Sequence, residues 1–545
     1  MPATIQGASV LIFAPSTTSD AVSTNEPGAD NPAGCCQLIT NLIPDRATPK
    51  FYAPRPASIA GINFTTGGFN TPGVVSVALQ LGTYIYGMIG TARNVGYDEP
   101  FCYNTATSSF ITVSGVTSSN VPPTPATSGD WTPPSMNLVG GVIPVCYPNQ
   151  VSPNFFFWFN ISTISAPTWH AGNLTGALPF IGTGPTAVTS FNGRAYYATG
   201  NTAIFSDAGN ALNTTSATQA LTIGDNTGIT GFGQQPLGSA TQGGIVQAIL
   251  VFKQLSITQI TGDPTTNNLT VNTLTSSVGC NAPRTIATTP AGVMFMANDG
   301  IRYIQLTGYV SDPIPALKLP FINVYTPTRS CAAYNNGVYR ISVISPNAQN
   351  TNTQAEYFFD FKYGWTGPHT FPANIIVPFS TGFMMANNSI SGLMFTTAVS
   401  PSPTDTYVEN GNQLTWQVLS APIRNAAPMQ QMELIESTCK YITGGVGESI
   451  TISALYSPGG SSSQQNELAT LTFQVGGTIW GAFNWGAADW SQIEGGLSTY
   501  TVPWPDVISF QDLQWQVTGT SVLGQRFNNI TSRVRGPGYT NQDNP

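Results

Sequence analysis

An all-β fold is predicted for this chain, an irregular β-propeller of about six to eight blades joined to a β-sandwich-like platform, and three observations predict it. Apolar residues alternate with small or polar ones through Ala248–Ile260 and again through Gly292–Leu306, the period-2 mark of strands with one buried face. Gly and Pro number 55 and 42 and are spread along the chain as turn punctuation, whereas Lys is scarce and no long stretch keeps apolar residues at i, i+3 and i+4. Strand pairs of this kind recur at intervals of roughly 40–60 residues, the period of propeller blades.

Taken in order, residues 1–75 are loop-rich, with the turn Asn31-Pro32-Ala33-Gly34 and the Pro-rich stretch Asn41–Ser58, which holds Arg46, Lys50 and Arg55. Extended arms of this composition bury no core alone and lie along a partner or another domain; packing on the platform is expected for 1–75. Residues 76–400 carry the blade-like pairs: Val74–Ile89 with Phe101–Val116, Leu138–Tyr147 with Asn154–Ile164, and Val188–Ala198 with Thr202–Ser206. Ala248–Ile260 and Gly292–Leu306 follow, then Ala332–Val343 with Ala355–Phe361, and Ile375–Phe379 with Gly382–Phe395. Ile245–Gly308 reads as a hairpin running into a second hairpin, with turns at Thr261-Gly262-Asp263-Pro264 and Asn298-Asp299-Gly300. Thr117–Pro134 is a projecting loop. A turn cluster after residue 400 opens a platform domain, 401–545, with candidate strands Leu414–Leu419, Glu433–Thr443, Ser449–Tyr456, Val507–Thr518 and Arg526–Val534.

Composition narrows the function. A chain of 545 residues has material for two or three domains. Charged residues make up 8%, against roughly 25% in ordinary globular domains. Asn, Gln, Ser, Thr and Gly take their place, giving a neutral, hydrogen-bonding surface that costs little to desolvate against other subunits. The net charge of −8, with no basic run, disfavours tight nucleic-acid binding. No apolar run is long enough for a transmembrane helix. The start of the chain has no basic residue before its apolar segment and is a poor signal peptide. Seven dispersed Cys and two His lack metal-ligand spacing, so buried thiols are expected and no metal or cofactor site is predicted.

Catalytic patterns are thin. His170 and His369 are the only imidazoles a Ser/His/Asp triad could use, and surface or turn roles are expected for both. Asp207, Asp263, Asp299 and Asp360 sit beside Gly or at strand ends and read as turn-forming carboxylates. Arg194, Arg284, Arg302 and Arg340 recur about once per blade. They either converge on an axis or tie strands to carbonyls or neighbouring subunits. Trp480, Trp485 and Trp490, five residues apart in GGTIWGAFNWGAADW, either anchor an interface or pack in the platform. No P-loop, dinucleotide fingerprint or EF-hand loop is present, and the chain reads as non-enzymatic.

Four stretches carry a resemblance: SFNGRAYYATGNTAIFSDAGN at Ser190–Asn210, LVFKQLSITQITGD at Leu250–Asp263, VGCNAPRTIATTPAGVMFMANDGIRYI at Val278–Ile304, and EYFFDFKYGWTGPHT at Glu356–Thr370. In this order, with so little charge, the chain resembles the tail nozzle, or tubular tail, proteins of short-tailed bacteriophages. The resemblance covers about 190–400 well and the rest more loosely. It implies a virion tail protein made in the host cytoplasm and assembled as a homo-oligomeric, hexameric ring. It further implies docking to a head-to-tail adaptor protein, carriage of tail fibres or spikes, and transient passage of viral DNA without sequence-specific binding. Two other readings share the composition: a secreted propeller that binds or cleaves glycans, and a capsid or receptor-binding protein.

Overall fold

The computed structural model describes residues 9–13, 36–48, 50–69, 73–90, 97–122, 133–238, 245–264, 268–314, 319–322, 324–346, 352–380, 382–387, 390–400, 407–409, 412–420, 423–424, 431–442, 448–457, 467–475, 497–510, 512–521 and 525–535. The chain forms two compact units. The first comprises residues 60–356 and 371–396, and the second 1–59, 357–370 and 397–545. These bounds differ from those expected at 75/76 and 400/401. The strand Ile59–Asn63 completes a sheet with Ile390–Ala398, and Gly364–His369 lies between Asn352–Asp360 and Cys36–Thr40 in one sheet.

Among the described residues the first unit is a series of seven antiparallel strand groups, the sixth continuing into a larger sheet, with a short parallel pair, Thr175–Gly176 and Asn213–Thr214, beside them. Blade one is Val74–Leu81, Tyr84–Gly90, Asp98–Asn104 and Ser109–Ile111. Blade two is Ser135–Met136, Val142–Cys146, Phe156–Asn160 and Thr168–Gly172. Blade three is Ala187–Phe191, Arg194–Thr199, Thr202–Phe205 and Ala220–Thr222. Blade four is Gly231–Gly238, Ile245–Phe252, Ile257–Thr261 and Thr270–Thr275. Blade five has three strands, Ala287–Thr289, Gly292–Ala297 and Gly300–Gln305. Blade six begins with Cys331–Asn335, Val338–Pro346 and Asn352–Asp360, and blade seven is Ile375–Phe379, Gly382–Asn387, Ile390–Ala398 and Ile59–Asn63. The stretch Ile245–Gly308, read from sequence as one run of hairpins, is therefore divided between blades four and five.

The first strand of each blade packs against the first strand of the next, and that of blade seven packs against that of blade one, so the neighbours form a cycle. Side chains fill each seam by strand alternation. In Tyr84–Gly90, Ile85 and Ile89 join Ile62, Phe64, Val377 and Met384 in the seam with blade seven. Tyr86 and Met88, on the opposite face, join Ile143, Val145, Phe157 and Phe159 in the seam with blade two. Likewise Ala195 and Tyr197 face blade two, while Tyr196 and Ala198 face blade four. Strands expected to bury one face thus bury both, and Gly292–Ala297 is buried at all six positions. A sheet sandwiched between neighbours reads as a continuous apolar run.

Local turns fix the register. Asn192 and Gly193 both have positive φ, 49° and 70°, between the paired residues Phe191 and Arg194. This is the two-residue hairpin that matches strand twist. Gly292 has φ +140°, and a Cβ there would meet the Ile304 carbonyl oxygen at 1.9 Å, so only glycine fits.

The second unit is a two-sheet sandwich. One sheet runs Leu42–Pro44, Tyr52–Pro54, Arg526–Arg535, Met432–Ile442 and Leu497–Phe510, with Ser9–Phe13 also paired to Arg526–Arg535. The other runs Gly364–His369, Cys36–Thr40, Asn412–Ser420, Asp512–Ser521, Glu448–Ser457 and Glu467–Val475. Trp416 meets Phe527 at 6.1 Å between centroids and Trp504 stacks on Trp515 at 5.9 Å, joining the two sheets. Here burial alternates as expected: Leu414, Trp416, Val418 and Ser420 point inward. A bulge between Leu434 and Glu436 switches the inward set from Met432 and Leu434 to Ser437, Cys439 and Tyr441.

Candidate functional site

The blade seams and the inner strands that line them concentrate the polar chemistry of the propeller. Asn137 and Ser190 lie 3.3 Å apart across blades two and three. Gln234 of blade four donates to Ser190 Oγ at 3.1 Å and to the Ser190 carbonyl. Thr288 of blade five donates to the Gln234 carbonyl at 2.6 Å. Asn335 of blade six donates to the Ser380 and Gly382 carbonyls of blade seven at 3.1 and 2.5 Å. Tyr339 donates at 2.8 Å to the Thr285 carbonyl, between blades six and five. Each bridge uses an amide or a hydroxyl, which crosses a low-dielectric seam without the cost of burying charge.

Each of the four singled-out arginines is held by protein groups. Arg194 is 6% exposed. It donates to the Ser206 carbonyl at 2.7 Å and lies 5.9 Å from the Phe205 ring centroid. Arg284 donates to the Asn374 carbonyl, and burial pulls its guanidinium below the ordinary arginine pKa. Arg302 grips Asp299 and the Ser311 carbonyl. Hydrogen bonding to Asp299, outweighing partial burial, holds it above the ordinary arginine value. Arg340 and Glu356 form an ion pair with side-chain exposures of 1% and 0%, and Arg340 also lies 5.6 Å from the Phe383 ring. Lys253, 1% exposed, is spent on the backbone and carboxylate of Asp225 at 2.6 and 2.9 Å. Trp480, Trp485 and Trp490 lie outside the described residues.

Two of these arginines sit in one repeated clasp. Arg194 donates to the Ser206 carbonyl, Ala195 N–H donates to Ser206 Oγ, and Ser206 Oγ donates to the Asp207 carbonyl. Arg302, Tyr303, Ser311 and Asp312 repeat the same three bonds. The sequence signal was available as Arg followed by a distant Ser-Asp in both GRAYYATGNTAIFSD and GIRYIQLTGYVSD.

The acids divide similarly. Burial would raise Asp207, but bonds from Gln219, Thr215 and Asn213 outweigh it and hold its carboxyl below the usual range. Asp360 accepts from Arg46 at 2.7 Å and from the Lys362 amide at 2.8 Å. Asp263 lies in the turn with Asn268, whose side chain accepts from the Asp263 amide at 2.7 Å. Sequence reading missed Asp98, which is buried and accepts from Ser76 at 2.5 Å and from Tyr147 across the seam between blades one and two at 2.7 Å. Burial, with Asp98 adding to it, pushes the Tyr147 phenol well above its ordinary pKa. Among the described residues no three His, Cys, Asp or Glu side chains gather as a metal site. The six described cysteines are buried thiols, and burial pushes Cys280 up to about 12.

The histidines differ. His170 is exposed and stacks on Trp158, with centroids 5.5 Å apart. His369, expected at the surface or in a turn, is 3% exposed and lies on a strand of the second unit. Apolar packing on Phe358 and two hydrogen bonds hold it inside.

No family model and no curated protein matches the sequence. Solved structures that match include an exo-β-1,3-galactanase from Phanerochaete chrysosporium, at 9% identity and TM-score 0.24, covering 88% of this chain and 100% of that one. A puromycin hydrolase matches at 11% identity and TM-score 0.35, covering 68% and 62%. A GH43 protein from Bacillus licheniformis matches at 8% identity and TM-score 0.25, covering 88% and 98%. This finding corrects the non-enzymatic reading: the galactanase and the puromycin hydrolase are named as enzymes, and non-catalysis is no longer part of the account. At these TM-scores the likeness brings no substrate, residue or reaction to this chain.

Proposed function

We propose that this chain is a structural subunit of a short-tailed phage tail, a nozzle protein that assembles with identical copies into a hexameric ring. The observation that carries the reading is internal spending of charge. Arg194, Arg284, Arg302, Arg340 and Lys253 are engaged by carbonyls or carboxylates of the propeller itself, and amides and hydroxyls bridge several of the seams. A conduit must guide a polyanion without gripping it, because each phosphate neutralised by Lys or Arg adds to affinity. In the proposed ring the passage for DNA lies between copies. Neutral outer surfaces suit subunit contacts, an adaptor ring and attached fibres or spikes.

One surface feature favours a second reading, a propeller that binds or processes glycans. On blade two the exposed His170 stacks on the half-buried Trp158, with centroids 5.5 Å apart, and Trp158 rests on the buried Phe156. A stacked, partly exposed ring pair of this kind can seat a sugar. Duplex-DNA retardation and a glycan array on the same preparation separate the readings. The nozzle reading predicts no DNA retention between 50 and 200 mM salt and no glycan signal, those limits being a range of about fourfold in which phosphate-dependent binding collapses. Salt-sensitive DNA retention, or a glycan signal abolished by Trp158→Ala, contradicts it.

A further inference from the structure

We propose that His369 is the proton-sensitive pin of a latch within the second unit, and that acid releases the strand Gly364–His369 from the N-terminal segment. The latch centres on Asn41, a non-glycine residue with φ 56° and 1% exposure. Its backbone N–H donates to His369 Nδ1 at 3.0 Å. Its side-chain amide donates to Thr370 Oγ1 at 2.9 Å and to the Thr415 carbonyl at 2.7 Å. Its Oδ1 accepts from Arg55 Nε at 3.0 Å and from the Thr370 amide at 3.1 Å. Three distant parts of the chain, around residues 41–55, 366–370 and 409–415, are thus tied at one residue.

An imidazole whose Nδ1 accepts an N–H is neutral there, so its proton sits on Nε2, which donates to Thr366 Oγ1 at 3.2 Å. Phe358 covers the ring at 4.3 Å between centroids. A second proton would have to occupy Nδ1. It would turn the acceptor into a donor facing the Asn41 N–H and place a cation in a site already holding Arg55. The charged and titratable groups on the packed elements are committed elsewhere. Arg55 pairs with Glu409 at 2.7 Å, and Asp360, two residues beyond Phe358, pairs with Arg46 at 2.7 Å. Asp45, at the end of the Asn41 segment, pairs with Arg526. Lys362 lies over the Tyr363 ring at 4.9 Å, and the Cys36 thiol is buried.

The closed latch therefore excludes the proton, and the opened one accepts it with an ordinary imidazole pKa of about 6.5. Stability of the closed form is present above that value and is lost as pH falls. The open population rises by up to about tenfold per pH unit, the limit for one proton. Opening frees the pairing of Ile39 with Gly367.

The chain has only two histidines, so full-length protein labelled with ¹³C and ¹⁵N in histidine gives two imidazole signals. The exposed His170 serves as the internal reference. The expected result is a His369 signal, resolved from that of His170, that shows the Nε2–H tautomer at pH 7.5. Amide protection at Asn41, Gly367 and Thr370, corrected for intrinsic exchange, should fall about tenfold per unit below pH 6.5. His369→Gln, whose amide oxygen can still accept from Asn41 but takes no proton, should keep those amides protected at pH 5. Protonation of His369 with protection unchanged overturns the latch, as does protection that is equal at pH 7.5 and 5 in the unsubstituted chain. Equal acid sensitivity in His369→Gln also overturns it, by placing the titrating group elsewhere.

Discussion

The propeller and the sandwich stabilise β-strands by opposite means. Inner propeller strands bury both faces, as Gly292–Ala297 does at every position, and each blade packs on the next around a cycle, with Ile59–Asn63 completing the sheet of blade seven. Sandwich strands bury alternate residues, as Asn412–Ser420 does, and several ion pairs join segments far apart in sequence, such as Arg55 with Glu409 and Arg526 with Asp45. The first design fixes shape through apolar stacking and neutral bridges. The second relies on charge to bring together segments separated by hundreds of residues, and so responds to pH.

The largest test of that contrast is the one fully buried ion pair described in the propeller. Glu356→Gln leaves the Arg340 cation in a site 1% exposed and should cost about 3–5 kcal/mol, read as a lowered urea midpoint with lost amide protection in blade six. Ile62→Ala, in the strand that completes blade seven, removes a side chain 1% exposed from the seam with blade one. It should cost about 2–4 kcal/mol and raise exchange in both Ile375–Phe379 and Val74–Leu81. Loss confined to blade seven would break the claim that the neighbours form a cycle.

In the sandwich, Ser437 accepts from Trp504 Nε1 at 2.8 Å and lies 2.8 Å from Ser532 Oγ. Ser437→Ala strands a buried indole N–H and should cost about 1–3 kcal/mol, visible as a changed Trp504 fluorescence environment. Burial alone would raise Glu409, but Arg55 and the Ser58 amide outweigh it and hold the carboxyl below the usual range. A depressed carboxylate contributes stability above its ordinary pKa of about 4.3, and that contribution disappears as pH falls through the folded value. Urea titrations from pH 7 to 3 should show this loss, and Glu409→Gln should flatten it. Arg535→Ala is the smallest change. Its pairing with Glu433 is 41% and 33% exposed, so it should cost less than about 1 kcal/mol and fade in high salt.

The repeat was legible because turn chemistry and alternation are local. Phe191-Asn192-Gly193-Arg194 announces its hairpin, and the alternating stretch around Gly292 announces its strands. Closure was not legible, since nothing local in Ile59–Asn63 says that it pairs with a strand more than 300 residues away. The same limit hid the pairing of Gly364–His369 with Cys36–Thr40, a segment far earlier in the chain. Individual arginines were found by their spacing, yet their partners at Ser206, Asn374, Ser311 and Glu356 depend on tertiary placement. His369 looked like a turn residue because Gly367-Pro368 precedes it, and Gly-Pro in sequence signals a turn whether or not a strand runs through it.

Light scattering of the purified chain together with negative-stain images tests the central claim most directly. The account predicts a closed ring of identical copies with an axial hole, unchanged between low and moderate salt because its contacts carry little charge. A particle that remains a single copy at every concentration and forms no ring, even when mixed with tail components, would contradict it.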